Sequence, residues 1–368
     1  MVAPPAFVLL RTGQPAFPML AAGMARIIYG VHGTGHGHAI RALAVAQLMP
    51  EHEFFFVSHS SGQALLGKHH PVFEYPNPVT VVRRHRIRPL ATLASLCGFL
   101  KHRRRWEPSL DEVFARLRPD AALTDYEHLV PRAARRAGLP CLSLDHQHII
   151  PSCGAQVPAA RYPDYLATLW AIRHLFSQAS DYLVTSFFPP PQANNSPVLP
   201  PLLRPEVVRQ APRDGDYVLA YQGYSTFARF VPLLRQIGRP VMVYGLDRAG
   251  PEGNLLFKPN TEAEFIRDLA GCRYVLCGGG HSLMAEALFL GKPVISFPIH
   301  QAIEQYLNAL NLDRLGYGRM APPGRPGANF LRDFESRIEL FRKAISGANF
   351  LGNDIIVQRI RAFLDTTV

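Results

Sequence analysis

Short apolar runs alternate with helical patterns along the first half of the chain. Between the runs, apolar residues recur every three or four positions, which is the spacing of an amphipathic helix. This alternation is typical of βαβ units, which build a parallel sheet covered by helices. The predicted strands are RIIYGV from Arg26, EFFFVS from Glu53, AALT before Asp125, CLSLD ending at Asp145 and DYLVTS from Asp181.

The same alternation returns after a proline-rich stretch, residues 187–213, which we interpret as a linker. A helix is predicted to begin after Thr261, a residue type that favours the N-cap position. The predicted strands of this half are YVLAY from Tyr217, VMVYG from Val241, NLLF from Asn254, YVLC from Tyr274 and VISF from Val294.

We therefore predict an α/β protein with two doubly wound, Rossmann-like parallel-sheet domains that face each other across a cleft. Residues 24–186 form the first predicted domain, and residues 214–368 form the second, with a C-terminal helix. Because doubly wound folds bind ligands at the carboxyl ends of their strands, the cleft is the expected ligand site.

Composition adds a preference for anionic partners. A length of 368 residues supports two cores, and 48% hydrophobic with 18% charged residues is typical of globular proteins. The formal net charge of +11 favours nucleic acid, acidic lipid or a phosphorylated substrate as partner. The five cysteines include no Cys-x-x-Cys pair, which favours free thiols over a zinc site.

Residues 1–23 are expected to be a disordered or non-native extension. They lack a basic region, Pro and Arg interrupt their apolar runs, and a second methionine, Met24, stands just before the first strand. No run reaches the roughly 18 apolar residues that a membrane-spanning helix needs. We expect a cytoplasmic protein, with peripheral attachment to the inner face of the cell membrane as an option.

The stretch GVHGTGHGHAIR, Gly30 to Arg41, joins the first predicted strand to a helical pattern. Glycines such as Gly35 and Gly37 let a backbone approach a ligand closely, and a helix start offers free N–H groups to an anion. A second glycine run, Gly278 to Gly280, precedes another helix that opens with His281 and Ser282. It predicts a phosphate site, although a tight turn that binds nothing has the same pattern.

The motifs Gly-Gly-x-Ser, Glu-Ala-Leu, Gly-Lys-Pro and Glu-Gln, between Gly279 and Gln305, resemble the donor-nucleotide half of GT-B glycosyltransferases. The nearest groups are the peptidoglycan N-acetylglucosaminyltransferase and the diacylglycerol glucosyltransferases, which are family 28-like. The segment GTGHGHAIRALAVA is similar to the first loop and helix of the same superfamily. The segment from Arg118 to His148 resembles bacterial and archaeal members with an Asp-x-Gln-His pattern.

The resemblance implies an inverting, metal-independent transfer of a hexose from a nucleotide donor, expected to be UDP-linked, to a hydroxyl acceptor. No further cofactor is implied. Glu286 would bind the ribose, although its pattern also fits a solvated helix carboxylate. The other implied donor contacts are Gly279, Gly280, His281 and Ser282 at the diphosphate, Phe257 and Lys258 at the uracil, and Glu304 and Gln305 at the sugar.

In the resembled families, the histidine of the Gly-His pair at the helix start acts as the base, which favours His38 over His36. A free imidazole has a pKa of about 6.5 and is largely unprotonated at neutral pH, as a base must be. A carboxylate is expected to orient such a base, and Asp125 stands where glucosyltransferases of this fold place that aspartate, although an aspartate that caps a strand end has the same pattern. His32 is assigned to loop packing or to a contact behind the residues that touch the ligand, and Glu127 and His146 are the next candidates for the base.

Asp145, His146 and His148 could also form a metal site, but GT-B transferases need no metal on the diphosphate. Residues 81–106 carry two basic clusters around an apolar stretch, which predicts either an ordinary helix or a segment lying on an anionic membrane surface. The second interpretation suits a lipid-linked acceptor. We keep a UDP-sugar 2-epimerase as an alternative. A nucleic-acid-binding protein is less favoured, because the basic residues lack interleaved aromatic residues.

Overall fold

A computed structural model gives the structure of the protein and describes residues 24–191, 198–223, 227–259, 261–322, 324 and 326–366. The predicted extension, residues 1–23, lies outside the described residues. Within them, two sheets of seven strands are flanked by helices. The predicted α/β class with two parallel-sheet domains is confirmed.

The amino-terminal sheet contains every strand predicted for the first half. Its strands are β1 (Arg26–Val31), β2 (Glu53–Ser58), β3 (Val72–Glu74), β6 (Ala121–Asp125), β7 (Cys141–Asp145), β8 (Asp181–Thr185) and β9 (Val198–Leu199). The two strands between β3 and β6, β4 (Val82–Arg83) and β5 (Arg86–Ile87), form a separate hairpin. The sheet order is β3-β2-β1-β6-β7-β8-β9, with parallel pairing throughout. The helices are α1 (Gly37–Leu48), α2 (Ser60–Leu66), α3 (Pro89–Leu117), α4 (Leu129–Arg136) and α5 (Tyr162–Ala171).

The carboxyl-terminal sheet is parallel except at one edge. It is built from β10 (Val218–Tyr221), β11 (Val241–Tyr244), β12 (Gly250–Glu252), β13 (Leu255–Phe257), β14 (Val275–Gly278), β15 (Val294–Phe297) and β16 (Gly318–Met320). Its order is β12-β13-β11-β10-β14-β15-β16, with β12 antiparallel to β13. The helices are α6 (Pro205–Val208), α7 (Phe230–Leu234), α8 (Glu262–Gly271), α9 (His281–Phe289), α10 (Ile303–Arg314), α11 (Ala328–Ser336), α12 (Ile338–Ser346) and α13 (Asn353–Asp365).

Both sheets reverse their strand order near the middle. In the first sheet the reversal lies between β1 and β6, and in the second it lies between β10 and β14. Segments that leave such neighbouring strands run to opposite faces and open a crevice between them, which is where doubly wound folds bind ligands. The glycine and histidine stretch after β1 and the glycine run after β14 both leave strands at these reversals.

The last helix, α13, returns to the amino-terminal domain. Ile356 and Ile360, one turn apart, are buried in the same apolar cluster as Ile27 of β1. Arg361 of α13 also pairs with Glu51, which follows α1. This packing differs from the expected grouping of residues 214–368 into one domain, because the apolar face of α13 lies against the first sheet's helices.

The chain therefore passes between the domains twice, and the two passages are hydrogen-bonded to each other. Gly352 N donates to the carbonyl of Pro201 at 2.8 Å. Leu203 N donates to Asn353 Oδ1 at 2.9 Å, and Asn353 Nδ2 donates back to the Leu203 carbonyl at 3.0 Å.

The described part of the predicted linker contains a buried arginine. Arg204 donates from Nε to Glu286 Oε1 at 2.6 Å and from Nη2 to Glu286 Oε2 at 2.7 Å. A third bond, from Nη1 to Glu262 Oε1, is 2.8 Å long. Because Glu286 lies in α9 and Glu262 in α8, one guanidinium fixes the interdomain passage to two helices of the second domain.

None of the helices in the described residues combines the length and the apolar character needed to cross a bilayer.

Arg204→Ala should lower the free energy of unfolding by about 3 to 5 kcal/mol, because it leaves the buried Glu286 carboxylate without its partner. Chemical denaturation measures the change. Arg209→Ala, at an exposed arginine of the same segment, is the matched control and should change stability by less than about 0.5 kcal/mol. Equal stability of the two variants would contradict the role given to Arg204.

Candidate active site

The stretch after β1 brings the start of α1 to the edge of the other domain. Gly35 has a φ of 80°, and α1 begins two residues later at Gly37. Ser282 Oγ, near the start of α9, donates to the Gly37 carbonyl at 3.2 Å. A Cβ at position 37 would lie 2.9 Å from Ser282 Oγ, so a larger residue there would displace the Ser282 hydroxyl. The amino termini of α1 and α9 thus meet across the cleft.

His38, in the first turn of α1, contacts a fully buried carboxylate. Its Nδ1 lies 2.7 Å from Asp125 Oδ1 at the end of β6. Arg41, one turn further along α1, donates to the same carboxylate through Nε at 2.7 Å and Nη2 at 2.8 Å. The predicted pairing of His38 with Asp125 is present, and the Arg41 guanidinium balances the negative charge of this carboxylate, which has no exposed surface.

The histidines around His38 are held in the neutral form. Burial, followed by the neighbouring His38, lowers the pKa of His32 well below its ordinary value. The same two causes lower the pKa of His59 to about 4. His32 meets the His38 ring edge to face at 5.2 Å, as expected of a packing residue. His36 caps the start of α1 through its carbonyl, and its ring makes no hydrogen bond among the described residues.

Glu127, one of the reserve candidates for the base, serves another purpose. Its carboxylate accepts the N–H groups of Leu129 at 2.8 Å and Val130 at 2.7 Å, at the start of α4. Burial raises its pKa to about 7. Glu127 therefore caps a helix, and its oxygens are directed to that helix.

His146 and His281 form a stacked pair between the domains, with ring centroids 3.9 Å apart. His146 also lies 2.9 Å from the Thr185 carbonyl through Nδ1 and 2.7 Å from Asn308 Oδ1 through Nε2. His281 Nε2 accepts the N–H of Phe187 at 3.2 Å. Both rings are buried, and the His281 ring is engaged in interdomain stacking. The predicted diphosphate contact at this helix start would use the backbone N–H of His281 and stays a prediction. The reserve role of His146 as a base is unsupported by its contacts.

Asp145 and His148 fix the segment that follows β7. Asp145 accepts the His148 N–H at 2.9 Å, and its Oδ2 lies 2.6 Å from His148 Nδ1. Burial alone would raise the pKa of Asp145, but the charge and hydrogen bonds of His148 hold it below its ordinary range. His146 points away from this pair. No cluster of three His, Cys, Asp or Glu residues with metal-binding geometry occurs in the part of the chain that the structure describes.

The glycine run after β14 lies under the start of α10. A Cβ at Gly279 would lie 2.3 Å from Gln305 Cβ, so the close packing of α10 needs glycine there. Gly280 is exposed, and no atom would lie within 4 Å of a Cβ at that position. The Gln305 carboxamide accepts the Ile299 N–H at 2.9 Å through Oε1, and its contact with a donor sugar stays a prediction.

Glu286, predicted to bind the ribose, is occupied by Arg204. Both carboxylate oxygens accept from the guanidinium, and the residue is 3% exposed. A ribose hydroxyl would have to use the remaining lone pairs of the carboxylate. The ribose contact stays a prediction, and the structure adds a stability role that the sequence did not reveal.

Phe257 and Lys258, predicted at the uracil, have their side chains engaged elsewhere. Phe257 is buried in the core of the second domain, and the Arg248 guanidinium covers its ring at 3.9 Å from the centroid. Lys258 Nζ donates to Glu264 at 2.8 Å and to Asp268 at 2.7 Å. A base could meet the backbone here, but neither side chain is presented to it.

Gln147, which the sequence did not single out, lies between the two halves of the site. Its Nε2 is 3.4 Å from His38 Nε2 and 3.3 Å from Glu304 Oε2. Glu304, predicted at the donor sugar, thus faces the same space as His38. The only sequence signal for Gln147 was the Asp-x-Gln-His pattern, of which it is the third residue.

Residues 81–106 become the hairpin and the first half of α3. Leu90 and Leu93 are 83% and 56% exposed. Phe99 is buried, and Trp106 packs against it with ring centroids 5.5 Å apart. The apolar residues of this segment are therefore exposed where α3 begins and buried further along the helix.

Comparisons with known proteins agree with this architecture. A family model described as glycosyl transferase family 1 matches residues 25–338. A relative from Methanosarcina mazei, named as an uncharacterized glycosyltransferase, is 24% identical over 378 residues and covers 92% of this chain and 95% of its own.

Two solved structures illustrate the similarity in fold. Phytolacca americana UGT2, complexed with UDP-2fluoro-glucose and pterostilbene, superposes with a TM-score of 0.64 at 14% identity, covering 93% of this chain and all of that one. MurG from Acinetobacter baumannii superposes with a TM-score of 0.58 at 17% identity, covering 92% and 99%. Both share the pair of Rossmann-like domains. The chain belongs to glycosyl transferase family 1 and is a glycosyltransferase of the GT-B fold.

Proposed function

We propose that the protein transfers a sugar, with inversion, from a UDP-linked donor to a hydroxyl acceptor, with His38 as the base. The observation that carries this proposal is the 2.7 Å contact of His38 with buried Asp125, at the point where α1 meets the start of α9. It brings a base-and-carboxylate pair to the place where two helix amino termini face each other.

The chemistry needs one displacement. Because Nδ1–H of His38 donates to Asp125, its Nε2 carries the free lone pair and can take the proton of the acceptor hydroxyl. The acceptor oxygen then bonds to the anomeric carbon as the bond from that carbon to the diphosphate oxygen breaks. The nucleoside diphosphate leaves from the opposite face, so the configuration inverts.

The leaving diphosphate would lie between the amino termini of α1 and α9. Free N–H groups and the positive ends of both helix dipoles favour an anion there. The Ser282 hydroxyl, which donates to the Gly37 carbonyl in the ligand-free protein, would turn to the diphosphate as a further donor. These donors give a reason to expect donor binding without a metal ion. Phytolacca americana UGT2, which shares the fold, is complexed with UDP-2fluoro-glucose in its solved structure, which supports UDP as the first nucleotide to test.

A lipid-linked acceptor is supported by two exposed helix faces near the cleft edge. Tyr162, Leu166 and Trp170, spaced four residues apart on α5, are each about half exposed. Leu90 and Leu93 on α3 are exposed as well.

Both helices adjoin the loop before α10. Gln301 donates to Asp164 of α5 at 3.4 Å, and Ile87, just before α3, donates its N–H to the His300 carbonyl at 3.2 Å. Exposed Arg104 and Arg105 on α3 complement an anionic lipid surface. We therefore propose peripheral attachment to the cytoplasmic face of the membrane.

His38→Ala should lower kcat by about 10² to 10⁴, the usual contribution of a general base, while UDP affinity stays nearly constant. Asp125→Asn should act on the same step, so the double variant should be little worse than His38→Ala alone. Steady-state kinetics on a product identified by mass spectrometry measures the effect. A 2-epimerase would instead release a rearranged sugar without an acceptor.

His36→Ala is the matched control, since His36 lies two residues away and has no carboxylate partner among the described residues. Its kcat should remain close to that of the wild type. Loss of turnover in this variant with turnover retained in His38→Ala would assign the base to His36.

UDP should bind in the presence of EDTA, and Ser282→Ala should weaken it. Loss of a hydrogen bond to a charged group corresponds to about 10- to 150-fold in affinity. Calorimetry measures the change, and Ser336→Ala, at an exposed serine of α11, is the control. Unchanged affinity in Ser282→Ala would remove this hydroxyl from the diphosphate site.

The protein should sediment with phosphatidylcholine vesicles containing phosphatidylglycerol and detach at high salt, because surface charges are screened beyond about 10 Å at 0.1 M ionic strength. Leu90→Ser with Leu93→Ser should weaken sedimentation. Leu340→Ser, at a similarly exposed leucine of α12, is the control. Equal sedimentation with pure phosphatidylcholine vesicles would contradict attachment to an anionic surface.

A further inference from the structure

Gln147 is held in place by its two neighbours in the chain. His148 bonds to Asp145, and His146 is fixed between Thr185 and Asn308. Gln147 begins a 3₁₀ helix that extends to Gln156. The backbone on both sides of Gln147 is therefore fixed, while its own side chain reaches into the cleft.

The Gln147 carboxamide covers the nitrogen that His38 needs for catalysis. His38 Nδ1 is committed to Asp125, which leaves Nε2 as the acceptor. Gln147 Nε2 lies 3.4 Å from that nitrogen, so an amide N–H occupies the place of an acceptor hydroxyl. The second N–H of the same amide points to Glu304 Oε2 at 3.3 Å.

The Gln147 carboxamide makes weak hydrogen bonds in this position. Both contacts of Nε2 are longer than the usual 2.9 to 3.0 Å, and the buried Oε1 has no hydrogen-bond partner among the described residues. Gln156 on the same 3₁₀ helix is the opposite case. It exchanges two bonds with Asn311, at 3.2 Å and 2.8 Å, that use both ends of its amide. A buried group with an unpaired acceptor is suited to changing partners when a ligand enters.

We propose that Gln147 is a positioning residue that couples donor binding to exposure of the base. The inference rests on the proposed function, since it takes His38 as the base and Glu304 as a ligand of the donor sugar. Without donor, Glu304 holds the carboxamide over His38 Nε2. A donor sugar hydroxyl that bonds to Glu304 releases the carboxamide, whose Oε1 can then accept a hydroxyl. The acceptor hydroxyl takes the vacated place beside Nε2.

Carbethoxylation with diethyl pyrocarbonate tests this cover directly, because the reagent attacks unprotonated imidazole nitrogen. In the ligand-free protein, Gln147→Ala should raise the modification rate of His38 by about two- to twelve-fold, the equivalent of one net hydrogen bond. Tandem mass spectrometry separates His38 from His36, whose rate should not change. Gln156→Ala is the matched control and should leave the His38 rate at the wild-type value.

A second variant separates the cover from a local distortion. Glu304→Ala removes the other partner of the carboxamide, so it should also raise the His38 rate while Gln147 remains in place. With UDP-glucose and no acceptor, Gln147→Ala and the wild type should hydrolyse the donor at similar rates, because the bound donor has already released the carboxamide from His38 in the wild type. Markedly slower hydrolysis by the wild type would mean that donor binding does not uncover the base.

Equal His38 rates in wild type and Gln147→Ala would overturn the inference, and so would a parallel rise at His36. Failure of the wild type to bind UDP-glucose in calorimetry would instead refute UDP-glucose as donor. The modification rates would still decide whether Gln147 covers His38.

Discussion

The Asp125 carboxylate has no exposed surface, and its compensation fixes the geometry of the cleft. A buried charge is tolerated only when its oxygens are paired, and both partners of Asp125 come from α1. His38 and Arg41 are three residues apart and so lie on one face of that helix. The register of α1 on the first sheet therefore follows from one carboxylate. Because Asp125 engages the inner nitrogen of His38, the outer nitrogen is left to face the second domain.

The second domain packs against the start of α1 and against His146 through contacts between uncharged groups. The start of α9 approaches Gly37 closely, and the stacked rings of His146 and His281 join the domains beside it. Burial lowers the pKa of both rings, which stack on each other. His146 faces the oxygens of Thr185 and Asn308, and His281 accepts the Phe187 N–H. His38 itself has ring contacts with His32 at 5.2 Å and Tyr126 at 6.2 Å between centroids, and its charged contacts are Asp125 and Arg41.

The strands could be predicted because apolar runs mark buried strands locally. The His38 to Asp125 pair spans 87 residues, and it could be predicted only because the resembled families place a base and its orienting aspartate at these positions. The short edge strands β3, β9, β12 and β16 carry too few residues to show a pattern. The Arg204 to Glu286 pair spans 82 residues and starts in a proline-rich segment, so no periodicity indicates it. His281 has the position expected of a ligand residue, but its ring is buried by the segment that follows β8. Only the tertiary structure shows that this segment approaches α9.

The return of α13 to the first sheet has a consequence for synthesis on the ribosome. The amino-terminal domain is discontinuous in sequence, because Ile356 and Ile360 complete an apolar cluster that Ile27 begins. At translation rates of 5 to 20 residues per second, the segment between β8 and α13 takes roughly 10 to 30 s to emerge. During that time the apolar surface that α13 covers stays open to water. The domain that is made first is thus the one that is finished last, and a nascent chain stalled before residue 353 would expose the site where α13 docks.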